Sequence, residues 1–159
     1  MIMPKTIYFV GIGGIGMSAL AQMLSDQGVQ VIGSDREASP VTELLESKGI
    51  KVNIGQKAEQ VSADIEMVIY SDAVPEENPE RARAKELNIS QKSYFAMLGE
   101  VSKGKQTIAV AGTHGKTTTT GMLAKILADA GTSPTAVIGS IVKDFNSNYL
   151  HGDSEMFVV

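Results

Sequence analysis

The chain has 159 residues, 43% hydrophobic and 20% charged, a composition typical of a folded globular protein rather than a disordered chain. Its net charge of -4 argues against nucleic acid as the main partner, because such partners require a basic surface that neutralises phosphates. The absence of cysteine excludes disulfides, zinc–thiolate sites and thiol catalysis.

The beginning of the sequence does not have the pattern of a secretory signal. Residues 1–6 include a proline and a single lysine, and no long apolar region or cleavage site follows them. No apolar run approaches the ~20 residues that are needed to cross a bilayer. We therefore expect a cytoplasmic protein with no membrane partner.

Strand and helix patterns alternate from the N-terminus to about residue 101. Strands are predicted at residues 7–10, 30–34, 51–54, 67–70 and, as a weak edge strand, 89–91. Helices are predicted at residues 15–28, 40–49, 79–87 and 93–101, the third of them charged and solvent-facing on one side. This alternation predicts a Rossmann-like α/β fold, with a parallel sheet covered by helices on both faces.

The first glycine-rich turn fits the spacing G-x-G-x-x-G between a strand and a helix. Gly11 permits a tight turn, Gly13 lets a diphosphate approach the backbone, and Gly16 allows close packing of the helix on the strand. Asp35 ends the second strand, where a carboxylate can accept hydrogen bonds from a ribose. The motif alone does not separate a nicotinamide dinucleotide from a UDP-sugar, since both carry a diphosphate and a ribose.

The stretch that follows the fourth strand lies at the same predicted edge of the sheet. Ligands of open α/β sheets bind at the carboxyl ends of the strands. We therefore predict that Ser71 and the backbone of Ala73 touch the ligand, although an ordinary strand-to-loop turn would also explain the pattern.

A second α/β pattern begins after the polar segment 99–106. A strand at 107–111, a helix at 116–130 and a strand at 134–138 precede a polar loop at 146–153, and a further strand begins at Glu155. Only about 50 residues belong to this second pattern, too few for a complete nucleotide-binding domain. We therefore expect a substrate-binding domain at residues 1–104, the beginning of a P-loop ATPase domain at 105–159, and a missing remainder.

The second glycine-rich turn, Gly112–Thr118, also lies between a predicted strand and a predicted helix. Its glycines let backbone N–H groups converge on phosphate oxygens, Lys116 supplies a positive charge for the β- and γ-phosphates, and Thr117 supplies a hydroxyl for Mg2+. The fit to G-x-x-x-x-G-K-[ST] is incomplete, because Val110 stands where the first glycine would be. His114 could contact a phosphate or form a purely structural hydrogen bond.

The two turns together resemble those of the Mur ligase family. The resemblance rests on Ala111–Thr120, on Phe9–Ala21 and on three shorter matches, at 33–35, 71–74 and 78–79, and it covers essentially all of the chain. It implies an ATP-dependent and Mg2+-dependent ligase of peptidoglycan precursor synthesis that forms an amide between UDP-N-acetylmuramate and L-alanine through an acyl phosphate. It also implies three domains, of which the C-terminal one is absent here, so we expect the isolated chain to be inactive.

The predicted site residues form two sets. The UDP substrate is predicted to contact Gly11, Gly13, Gly14, Ile15, Gly16, Ser34, Asp35, Ser71 and Ala73. The ATP phosphates are predicted to contact Gly112, Thr113, His114, Gly115, Lys116, Thr117 and Thr118, with Lys116 catalytic and Thr117 the metal ligand.

Three alternatives to this function remain open at the level of sequence. A nicotinamide-dependent oxidoreductase would use the first turn but leave the second unexplained. A family member that recycles murein tripeptide would share the second turn, although its first glycine pattern differs. A UDP-sugar-binding or regulatory module without catalysis would also satisfy both motifs. The oligomeric state and the residues that select the amino acid are not encoded in any recognisable pattern.

Overall fold

A computed structural model describes residues 3–159 of the chain. The chain divides into two compact units, one that extends to Met97 and one that covers Leu98–Val159. Within the described residues no helix combines the length and the apolar character needed to cross a membrane.

The first unit is built around a five-stranded, fully parallel sheet in the order β3-β2-β1-β4-β5. Its strands are β1 (Thr6–Val10), β2 (Gln30–Asp35), β3 (Lys51–Ile54), β4 (Met67–Tyr70) and β5 (Ser90–Ser93). The helices are α1 (Ile15–Asp26), α2 (Pro40–Ser47) and α3 (Pro79–Glu86), with a single 3₁₀ turn at Ala58–Gln60. A further helix, α4 (Tyr94–Val101), follows β5. The predicted α/β alternation is thereby confirmed.

Local sequence explains how these elements begin and end. Every residue of β1 is buried, as expected for the central strand of a parallel sheet covered on both faces. Helix α2 begins with a capping box, in which the side chains of Ser39 and Thr42 each accept a hydrogen bond from the backbone N–H of the other, and Pro40 occupies the first turn. Helix α1 is followed by Gly28, whose φ of +85° suits the left-handed conformation that commonly ends helices.

Helix α3 faces solvent on one side, as predicted, but its other side is buried and carries a glutamate. Glu80 and Ala84 are both completely buried, and Ala84 belongs to a core cluster with Tyr8, Val10 and Val68. Charge content reports the average character of a helix, so it does not reveal that a glutamate lies on the face that meets the sheet.

The second unit contains a four-stranded mixed sheet in the order β6-β9-β7-β8. Its elements are β6 (Gln106–Ile108), α5 (Lys116–Asp129), β7 (Thr135–Val142), β8 (Ser147–Leu150) and β9 (Met156–Val158). Strand β9 pairs in parallel with β6 and β7, whereas β7 and β8 form an antiparallel hairpin.

The hairpin replaces the loop that was predicted over residues 146–153. Its turn ends at Asn146, which adopts φ +48°, a conformation that asparagine tolerates better than most residues. Ser147, Asn148 and Tyr149 are then buried in β8. Polar side chains that are buried through tertiary pairing are not visible to a sequence pattern that equates polarity with exposure.

Candidate functional site

The carboxyl edge of the first sheet carries two adjoining clefts. The larger, of about 410 Å³, lies where β1, β2 and β4 end, and its walls include Gly11, Gly13, Gly14, Asp35, Ser71 and Ala73. The smaller, of about 180 Å³, shares Gly14 and Ser71 with the first and adds Ile15, Gly16 and Tyr94. The fold therefore brings together eight of the nine residues predicted to contact the UDP substrate.

Backbone donors of the first glycine-rich turn are largely used within the protein. The N–H groups of Gly11 and Ile12 both donate to the carbonyl of Ser34 at 2.9 Å, and that of Gly14 donates to the carbonyl of Gly11 at 3.2 Å. The N–H of Gly13 donates to Oδ2 of Asp35 at 2.8 Å. The turn is thus a closed, internally bonded structure rather than an open ring of donors.

Asp35, at the end of β2, stabilises the first glycine-rich turn through its hydrogen bond to Gly13. A β-carbon added at Gly13 would lie 2.8 Å from Oδ2 of Asp35, so glycine is required here for the carboxylate to reach the backbone. The other oxygen, Oδ1, accepts a hydrogen bond from the N–H of Arg36 at 2.8 Å. Asp35 lines the larger cleft, and each of its carboxylate oxygens can accept a further hydrogen bond, as the predicted contact with a ribose requires.

Ser34 was predicted to contact the UDP substrate, but it is completely buried and has no surface for a ligand. Its hydroxyl donates to Oε2 of Glu80 at 2.6 Å, and its carbonyl accepts the two N–H groups of the turn. Ser34 therefore supports the turn from inside the protein instead of touching what binds there.

Glu80 is the centre of a buried polar network that sequence reasoning missed. Its second oxygen, Oε1, accepts a 2.7 Å hydrogen bond from the hydroxyl of Tyr8. Burial raises the pKa of Glu80, and the hydrogen bonds from Ser34 and Tyr8 partly oppose that rise. Burial also raises the pKa of Tyr8, and its hydrogen bond to Glu80 adds to the effect. The sequence feature that could have indicated this position is Asn78, whose side chain caps α3 and accepts a hydrogen bond from the N–H of Glu80 in the first turn.

Gly16 is needed for a different reason from the predicted packing of helix on strand. A β-carbon added there would lie 2.7 Å from the ring and the hydroxyl of Tyr94. The missing side chain makes room for an aromatic ring from the beginning of α4, over the first turn of α1. Tyr94 is a second cleft residue that the sequence pattern did not single out.

The second glycine-rich turn lies on the surface of the second unit. Residues 111–116 are all exposed, and Gly112 and Gly115 adopt φ values of +148° and +76°, a region in which side chains are disfavoured. The ammonium group of Lys116 donates to the carbonyl of Gly112 and, at 3.5 Å, to that of Thr113. His114 and Thr118 are exposed beside it. The structure therefore keeps the seven predicted residues together on one strand-to-helix turn.

The threonines that follow Lys116 have different environments. Thr117 is half-buried, and its hydroxyl lies 2.7 Å from the position that a β-carbon would take at Gly139 in β7. Thr120 is buried and donates to the carbonyl of Lys116 at 2.8 Å, so it braces the first turn of α5. Gly139 was not predicted, because only the fold brings β7 next to this helix.

A metal ion would find few protein ligands in this part of the chain. No group of three or more histidine, cysteine, aspartate or glutamate side chains that could hold a metal is present among residues 3–159. The hydroxyl of Thr117 is an oxygen of the type that Mg2+ prefers, and this ion commonly takes its other ligands from phosphate and water.

Two protein-family models match the chain. The model described as Mur ligase family, catalytic domain, matches residues 6–106, and the model described as Mur ligase middle domain matches residues 110–154. Together they include both glycine-rich turns.

Curated relatives match almost the whole chain. The chain is 46% identical over 158 residues to the UDP-N-acetylmuramate–L-alanine ligase of Clostridium kluyveri, a match that covers 99% of the chain and 35% of the relative. It is 50% identical over 154 residues to the ligase of the same name from Novosphingobium aromaticivorans, covering 97% of the chain and 32% of the relative. The chain thus spans about a third of the length of these relatives.

Solved structures agree with the sequence matches. The crystal structure of UDP-N-acetylmuramate–alanine ligase from Thermotoga maritima superposes with a TM-score of 0.89 at 38% identity, over 96% of this chain and 36% of that one. The UDP-N-acetylmuramate:L-alanyl-gamma-D-glutamyl-meso-diaminopimelate ligase of Neisseria meningitides gives a TM-score of 0.88 at 29% identity, over 98% and 52%.

Proposed function

Because the chain belongs to the Mur ligase family, we propose that it supplies the UDP-substrate site and the ATP-phosphate site of a ligase that joins L-alanine to UDP-N-acetylmuramate. The observation that carries the proposal is the presence of two glycine-rich turns, each at a strand-to-helix junction, in one chain. Relatives at 46% and 50% identity whose names state this reaction support the choice of substrates.

The clefts of the first unit suit a nucleoside diphosphate. They lie at the carboxyl edge of a parallel sheet, where nucleotide ligands of such folds bind. Asp35 offers carboxylate oxygens to ribose hydroxyl groups, while Ser71 offers a hydroxyl at the boundary between the two clefts. We assign the UDP portion of the substrate to this edge.

The turn of the second unit suits the phosphates of ATP. Gly112 and Gly115 allow the backbone to approach phosphate oxygens, and Lys116 at the start of α5 provides a positive charge. The Lys116 ammonium donates to loop carbonyls, so it is held beside the turn rather than extended into solvent. Phosphate oxygens would replace those carbonyls as stronger acceptors.

The chemistry that these groups support is acyl activation followed by amide formation. A carboxylate oxygen of the muramate attacks the γ-phosphorus of ATP, the bond to ADP breaks, and an acyl phosphate forms. The amine of alanine then attacks the acyl carbon, loses a proton and expels phosphate. Lys116 and the N–H groups of the loop lower the repulsion between two anionic reactants, an electrostatic contribution that needs no general base from this chain.

Thr117 fits Mg2+ as a single protein ligand. Its hydroxyl lies in the first turn of α5, against the gap left by the missing side chain of Gly139. The ion would neutralise phosphate charge when bound. Among residues 3–159 no group of three or more histidine, cysteine, aspartate or glutamate side chains could hold the ion by itself.

Ligand titration tests this function against its rivals. Calorimetry on the chain with UDP-N-acetylmuramate, ATP and NAD should show saturable binding of the muramate nucleotide and none of NAD. Saturable NAD binding without binding of the muramate nucleotide would favour an oxidoreductase. In the protein that contains this chain, assays with ATP and either L-alanine or a murein tripeptide, read by product mass, separate the alanine-adding ligase from the recycling ligase. ATP-independent binding without either product would favour a binding module.

A further inference from the structure

Tyr94 lines the smaller cleft, and its hydroxyl has no hydrogen-bond partner among residues 3–159. Tyr94 begins α4 directly after the carboxyl end of β5, and its ring lies over Gly16 in the first turn of α1. Its ring packs edge-on against Phe95, with 5.1 Å between ring centroids. Among residues 3–159, no side chain or backbone group forms a hydrogen bond with the Tyr94 hydroxyl.

Most N–H groups of the first glycine-rich turn are not available to a phosphate group that enters this edge. The four consecutive N–H groups from Gly11 to Gly14 already have acceptors inside the protein, one of which is the Asp35 carboxylate. That carboxylate also places a negative charge where an anion would otherwise meet the N–H of Gly13. A diphosphate is therefore directed away from Asp35, toward the smaller cleft, where the hydroxyl groups of Ser71 and Tyr94 can donate to it.

Tyr94 has the chemistry that this position requires. A phenol is neutral at physiological pH, and partial burial raises the pKa of Tyr94 further, so its proton stays available for donation. Ser71 also lines this cleft and has a hydroxyl of its own. The missing β-carbon of Gly16 is what lets the Tyr94 ring come this close to the first turn of α1.

We propose that the hydroxyl of Tyr94 donates a hydrogen bond to a phosphate oxygen of the UDP substrate, which makes Tyr94 a phosphate-binding residue of this site. The inference rests on the proposed function, because it takes a uridine diphosphate as the ligand. It adds a residue from the start of α4 to a site otherwise built from β1, β2, β4 and their loops.

The test compares UDP with uridine in wild type and Tyr94→Phe by calorimetry. The substitution removes one oxygen and keeps the ring over Gly16. A hydrogen bond to a charged acceptor is expected to be lost, so UDP binding should weaken by about tenfold or more. Uridine binding should not change, because uridine has no phosphate. Unaltered thermal stability is also expected, since the hydroxyl has no partner in the free protein.

Tyr149→Phe is the matched control. It removes a phenol hydroxyl from the second unit, where that group is bonded to His151 at 3.2 Å. UDP binding equal in wild type and Tyr94→Phe would overturn the Tyr94 proposal and leave the proposed function standing. Equal weakening of UDP and uridine binding would also overturn it, because the ring rather than the hydroxyl would then be the contact. Failure of the wild type to bind UDP or UDP-N-acetylmuramate would instead contradict the proposed function.

Discussion

The carboxylate of Glu80 accepts a 2.6 Å hydrogen bond from the hydroxyl of Ser34, and both residues are completely buried beneath the first glycine-rich turn. The carbonyl of Ser34 in turn accepts the N–H groups of Gly11 and Ile12. Helix α3, whose charges indicate a solvated face, therefore supports the first glycine-rich turn through Glu80 and Ser34.

Removal of the Glu80 carboxylate should destabilise the first unit. Glu80→Ala leaves the buried hydroxyl of Ser34 without its acceptor and that of Tyr8 with only the 3.2 Å hydrogen bond to Oε1 of Gln60, at a cost of about 2–4 kcal/mol in the free energy of unfolding. Urea unfolding monitored by circular dichroism measures this change. Glu86→Ala in the same helix is the control, because Glu86 is exposed in its pair with Arg83 and should cost less than about 0.5 kcal/mol. Similar losses in the two variants would contradict the role of Glu80.

The same network predicts a pH dependence of stability. Burial raises the pKa of Glu80 above its ordinary value of 4.5, so the folded state binds the proton more tightly than the unfolded state. The stability from this group is complete below pH 4.5 and is lost as the pH rises through the folded pKa. Glu80→Gln has no such titration, so the stability of wild type relative to Glu80→Gln should fall as the pH rises above 4.5. Urea unfolding of both proteins at a series of pH values measures this trend. If the stability of wild type relative to Glu80→Gln rose with pH instead, the pKa of Glu80 would not be raised by folding.

Gly139 is predicted to be essential for the position of Thr117. A β-carbon in Gly139→Ala would lie 2.7 Å from the Thr117 hydroxyl, so the first turn of α5 or the side chain must shift. ATP-dependent ligation in the protein that contains this chain should fall by about tenfold or more, since small displacements of positioning groups carry large rate costs. Gly99→Ala is the control, because no atom lies within 4 Å of its added carbon. Normal rates in Gly139→Ala would show that Thr117 does not need this gap.

Lys116 is predicted to serve ligation and not UDP-substrate binding. Lys116→Ala removes the charge beside the second glycine-rich turn, and ligation should fall by at least about a hundredfold, because phosphoryl transfer depends on electrostatic stabilisation. Binding of UDP-N-acetylmuramate should be unchanged, as it is assigned to the first unit. Rate assays and calorimetry measure the two effects separately.

Lys125→Ala is the comparison for that variant, since Lys125 lies in the same helix and pairs with Asp129. It should retain normal ligation. Near-normal turnover in Lys116→Ala would remove Lys116 from the catalytic assignment.

The two glycine-rich turns were predictable because the conformations of such turns are encoded locally. The spacing from Gly11 to Gly16 and from Gly112 to Thr117 requires particular backbone conformations next to a helix start, and short sequences specify such conformations. Burial of β1 was also predictable from its apolar run. The resemblance to the Mur ligase family followed from these local patterns.

The sequence by itself determined the alternation of strands and helices in the first unit and the positions of the two turns, because glycine, proline and capping residues act on the backbone within a few positions. Only the tertiary structure decided that Glu80 is buried against Ser34, that Asp35 occupies the Gly13 N–H, and that Tyr94 covers Gly16. The partners in these contacts are separated by 46, 22 and 78 residues (80 minus 34, 35 minus 13, 94 minus 16). Such contacts form only when the parallel sheet brings distant strand ends to one edge, and no local pattern records them.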